Sequence, residues 1–178
     1  MTLFTVGSLW TMFHGLVLGG GVLLGFAAAL YCMWSVRADN HDDSSARRRC
    51  THLGRLTIAI AAMLWAIVFI GTYVNYPAYR VTPPEGATDL SAYPRALLRA
   101  NPDTAWLHGF ALEFKEHAGW IAAILMTGVA FVINRYHTTL LTKPRVFNMT
   151  AAFAVAGFVI TAIVGLLGVF VNKVAPII

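Results

Sequence analysis

Residues 113–133 read EFKEHAGWIAAILMTGVAFVI. Glu113, Lys115, Glu116 and His117 stand at the mouth of an apolar run, 118–133, that carries no charge. With its flanking turns such a run is long enough to cross the hydrocarbon of a bilayer. Ionisable groups at membrane depth are expensive and are kept for a reason. His14, far away in sequence, opens a second apolar run of the same kind.

The rest of the composition agrees with a membrane class. Of 178 residues, 58% are hydrophobic and 12% charged, with a mean hydropathy of +0.66. A soluble domain carries about 25% charged residues. Cys32 and Cys50 make no disulfide framework. The first 30 residues lack a basic n-region, and their apolar run outlasts a signal h-region, so they read as part of a first membrane helix.

Four spans are expected, at about 5–36, 56–76, 104–136 and 147–171, in a single all-α, up-down integral membrane bundle. The polar stretch 37–55 reads as a loop, as does the basic stretch 135–145. The connection 77–103 holds five of the seven prolines and cannot span lipid. Within it, 91–99 is expected to form a short surface helix, and Pro102-Asp103 to start the next long one. Tyr73-Val74-Asn75-Tyr76-Pro77 reads as an aromatic anchor followed by a helix stop. Gly15 with Gly19, and Gly21 with Gly25, are small-xxx-small pairs that let backbones approach closely.

Orientation follows from basic residues. The connections after spans one and three carry eight Lys and Arg against three acids; the opposite end carries five against five. Both termini and the 77–103 connection therefore belong on the non-cytoplasmic side of a cell membrane. The net charge of +5 then sits at a lipid surface, and nucleic acid is not an expected partner.

Two histidines share one depth. His14 lies eight residues from the expected centre of its span and His117 seven, roughly 10–12 Å at 1.5 Å per residue. Imidazoles on two helices can clamp a haem iron from both faces. A haem b between His14 and His117 is the first expectation, with Gly21 and Gly25 making room for the porphyrin. Glu113, one turn before His117, would orient its ring. His108 is nine residues from His117, on the opposite face of a regular helix. His52 and His137 form a second pair for a second haem; His41, among aspartates, is expected in solvent. Tyr73, Asn75, Tyr76, Tyr79 and Arg80, with Trp106, Trp120 and Glu113, read either as an interfacial belt or as a quinone site.

Four spans with histidines at helix mouths resemble small b-type membrane cytochromes and the haem-bearing anchor subunits of respiratory complexes. The likeness is of architecture. It implies an electron-transfer protein, alone or with other membrane subunits, exchanging electrons with a quinone or a redox protein. Two other functions fit the same residues: a cofactor-free structural subunit, and a metal- or proton-handling protein using His117, Glu113 and Glu116.

Overall fold

Capping chemistry sets the helix starts. Thr5 and Ser8 form a reciprocal capping box ahead of Val6, Ser8 N–H donating to Thr5 Oγ1 at 3.1 Å and Thr5 N–H to Ser8 Oγ at 2.9 Å. The Asn101 side chain accepts from Asp103 N–H at 2.9 Å, and Pro102 occupies the first helical position. The computed structural model describes residues 5–38 and 43–177, and their regular structure is helical throughout. Five helices result: α1 (Val6–Arg37), α2 (Ser44–Tyr79), α3 (Pro94–Ala100), α4 (Pro102–Thr142) and α5 (Pro144–Val174). All except α3 are long and apolar enough to cross a membrane.

Three boundaries differ from expectation for physical reasons. The stretch 37–55 is not one loop, because α2 already starts at Ser44 and carries Arg47, Arg48 and Arg49 in its first turns. Arginine is a good helix former, and polarity alone does not end a helix. Pro77 does not stop α2, which continues to Tyr79. A widened π turn, Gly71–Asn75, lies immediately before the proline and takes up the register that its missing N–H disturbs. The 135–145 connection is wound into a 3₁₀ turn, His137–Thr142. His137 enters that turn with φ +46°, a backbone strain of about 1–3 kcal/mol for a side-chain-bearing residue.

α1 packs on α2 and α5, and α4 packs on the same two helices. α1 and α4 therefore stand diagonally. The core runs through Val22, Phe26, Ile60, Met126, Val129 and Ile133. Glycines let these side chains in. A Cβ on Gly157 would meet the Phe26 ring at 3.3 Å, one on Gly25 would meet Ile60 at 3.0 Å, and one on Gly21 would meet Met63 at 2.9 Å. Val155, Val159, Ile163, Leu166 and Phe170 form an exposed stripe along α5, the face a bilayer would cover. A smaller core at one end joins Tyr79, Leu98, Leu107, Leu112, Leu167 and Val171, and seats α3 on the bundle.

The closest approach at the Arg37 end is between α2 and α4. Asn134 Nδ2 donates to the Gly54 carbonyl at 3.1 Å and to the Ala130 carbonyl at 2.7 Å. A Cβ on Gly54 would lie 2.5 Å from Asn134 Oδ1. Gly54→Ala should therefore cost about 1–3 kcal/mol by overpacking and displacement of that amide. Gly128→Ala, where nothing lies within 4 Å, should leave stability unchanged or slightly raised. Thermal unfolding of the two variants in one detergent checks the contrast.

Candidate functional site at the His14 end of the bundle

Three helices widen into π segments, and all three do so at one end. The π segments are Phe13–Gly19 in α1, Gly71–Asn75 in α2 and Leu107–Leu112 in α4. Contacts tie them together: the His14 ring lies over Gly71, and the Tyr79 hydroxyl meets His108 Nδ1 at 2.9 Å. Single π turns occur mostly at functional sites, because the extra residue re-aims the side chains around it.

His14 is aimed inward. Its Cε1 lies 3.1 Å, and its Nε2 3.6 Å, from where a Cβ on Gly71 would be. A glycine is what allows the ring to lie against the α2 backbone. His14 Nδ1 is buried and has no hydrogen-bond partner. An unmet buried polar atom costs about 1–3 kcal/mol, and such groups are few in native proteins.

Lys115 comes from the diagonal helix. Its Nζ lies 2.7 Å from where a Cβ on Gly168 of α5 would be, so a second glycine makes room for a second polar side chain. The ammonium is within electrostatic reach of His14. Among the described residues no hydrogen bond or ion pair reaches it. Lys115 is half-buried, with its chain end over Gly168, and the nearby acids point elsewhere. Glu113 is exposed, and Glu116 acts on Tyr76 and Tyr79.

His117 occupies a different position. It is exposed on α4, and its Nδ1 lies 2.8 Å from the Glu113 carbonyl one turn earlier. With Nδ1–H donating there, Nε2 carries the free lone pair. Glu113 thus orients the ring through its backbone oxygen rather than its carboxylate. Gly21 and Gly25 are closed over by Met63 and Ile60 of α2, so that face of α1 is taken up by helix packing and not by a porphyrin-sized gap. His14 Nδ1 is enclosed within the bundle, whereas His117 is exposed. His108 itself lies in the π segment Leu107–Leu112, so the half-turn offset from His117 expected of a regular helix does not apply.

At the Arg37 end, His137 Nε2 meets Thr51 Oγ1 at 3.1 Å, and the adjacent His52 is exposed. His41 lies outside the described residues. Among the described residues no group of three or more His, Cys, Asp or Glu could hold a metal ion. The aromatic cluster is a continuous stack. Phe69 stacks on Trp65 and Tyr73 and takes Trp120 edge-on, at centroid distances of 5.8, 6.1 and 5.9 Å. Arg80 lies over the Tyr76 ring at 5.3 Å.

Lys115 was visible in sequence only as a neighbour of Glu113 and Glu116. The signal that it faces inward is Ala111, Lys115, Ala118 and Ala122, one small-residue stripe at helical spacing. A half-buried ion without a partner loses part of its hydration on folding. Lys115→Met, which keeps the volume and removes the charge, should raise stability by about 1 kcal/mol in a denaturation assay in micelles. A fall in stability would mean that the ammonium has a partner that holds the bundle together.

No family model, curated protein or solved structure matches the chain.

Proposed function

We propose that the chain is an electron-transfer subunit of a larger membrane complex, and that His14 and Lys115 receive the head group of a quinone. The single observation that carries this reading is the inward imidazole with an unmet Nδ1, within electrostatic reach of an ammonium that has no ion-pair partner among the described residues. Both supply hydrogen bonds in a setting where water is scarce. A quinone is a flat, apolar ring with carbonyl oxygens that accept such bonds, and it reaches a bundle sideways through lipid. The stack Trp65–Phe69–Trp120 offers it aromatic surface one to two turns away. Oxidation of a quinol to quinone would pass two electrons to a redox centre of a neighbouring subunit and release two protons. His14 can accept one of them, and the other would leave to solvent at this end of the bundle. The excess of basic residues at the opposite end supports a non-cytoplasmic position for the His14 end.

The test is binding of a short-chain ubiquinone analogue to the full chain in micelles, followed by tryptophan fluorescence. His14→Ala and Lys115→Met should each weaken it about 10- to 100-fold, the loss expected for a hydrogen bond with a charged or buried partner. Equal affinity in wild type and both variants overturns the site.

A second reading rests on His117. Its Nδ1 on a backbone carbonyl and free Nε2 form the arrangement that axial ligands of haem use. On an exposed face, the second ligand and much of the pocket would come from a neighbouring subunit. A reduced-minus-oxidised α-band of a b-type haem in the purified complex, lost in His117→Ala, supports it. No absorbance above that of the apoprotein rejects it. If haem and quinone both fail to bind, the glycine-packed bundle remains as a structural subunit.

A further inference from the structure

The connection between α2 and α4 holds a pocket that neither reading uses. It is a cavity of about 160 Å³ lined by Val81, Thr82, Pro83, Arg95, Ala96 and Arg99. It is half open to the surface. Arg95 and Arg99 are four residues apart on α3, so their guanidinium groups share a face and repel. Neither forms an ion pair among the described residues, and Arg95 Nε is buried without a hydrogen-bond partner. Both charges also bear on Tyr79 and His108, the hydrogen-bonded pair beneath them. The acids Glu113 and Glu116 reach the same histidine but pair with neither arginine.

α3 cannot swing away to relieve the repulsion. Pro94 and Leu98 are buried, and Leu98 is part of the small core that holds α3 on the bundle. Two like charges thus stand one helical turn apart along one wall of a cavity, one of them with an unmet donor. Guanidinium forks match the oxygen spacing of phosphate and carboxylate and bind them bidentately. The rest of the lining is largely carbon, from Val81, Pro83 and Ala96, which favours an oxyanion bearing an alkyl substituent. Residues 81–83 follow directly on the end of α2, and polar head groups lie at the ends of membrane-spanning helices.

We propose that the Arg95–Arg99 pocket binds a phosphate group, either the phosphodiester of an anionic lipid or free inorganic phosphate. The proposal stands independently of the quinone and haem readings. Two arms distinguish the sources, both on the full chain. In nanodiscs of equal phosphatidylglycerol and phosphatidylcholine, native mass spectrometry reads which lipid stays bound. In micelles without phospholipid, calorimetry reads binding of inorganic phosphate. Retention of phosphatidylglycerol over phosphatidylcholine assigns a lipid; phosphate heat without lipid preference assigns the free ion. In either case Arg95→Gln with Arg99→Gln should weaken binding at least tenfold, and Arg99→Lys should lose part of it by keeping charge but not the fork. Arg99 is exposed, so Arg99→Gln alone decides the matter if the double variant does not fold. The proposal is overturned by equal lipid retention with no phosphate heat, or by binding that the glutamine variants leave unchanged.

Discussion

A backbone in hydrocarbon has no water to bond to, and every other feature of this chain follows from that. Four helices satisfy their own amide groups along their length. What they cannot do is attract one another by the hydrophobic effect, because lipid tails are as apolar as leucine. Close contact has to come from shape. Gly21 and Gly25 admit Met63 and Ile60, Gly157 admits Phe26, and Gly54 admits Asn134. Each is a place where a missing Cβ lets a neighbour sit against backbone. The interhelical bonds from Asn134 to the Gly54 carbonyl and from Trp65 Nε1 to Thr127 Oγ1, 3.0 Å, add direction to that packing.

The same device is used differently at the two ends of the bundle. Along the middle and at the Arg37 end, glycines receive apolar groups or a satisfied amide. At the His14 end, Gly71 receives an imidazole and Gly168 an ammonium. Room has been made there for groups that destabilise the bundle. The three π segments lie at this end as well. Regular helices would satisfy the backbone equally well, so the departures serve the aim of the side chains rather than the stability of the helix.

The fold was largely legible, because four long apolar runs leave a chain little choice once lipid is its solvent. What misled was local. Polarity between 37 and 55 looked like a loop, yet arginines continue a helix readily. Pro77 looked like a stop, yet a widened turn absorbed it. The site was legible as residue types and not as directions. His14 and His117 have matched depths, but depth is one coordinate of three. The facing of each side chain depends on phase, and a single π turn changes phase without leaving a mark in hydropathy. Lys115 shows the reverse. It sits among Glu113, Glu116 and His117, and nothing in that cluster marks it as the side chain that lies over Gly168 of α5.

The diagonal placement of α1 and α4 gives the polar pair its meaning. Neighbouring helices could have brought a histidine and a lysine together by ordinary packing. His14 and Lys115 arise from helices that barely touch, and each reaches into the bundle over a glycine of a third or fourth helix. Their proximity therefore depends on all four helices being in place. A ligand held between them would sense the closure of the whole bundle, and its binding energy would add to a fold that the unpaired ammonium weakens.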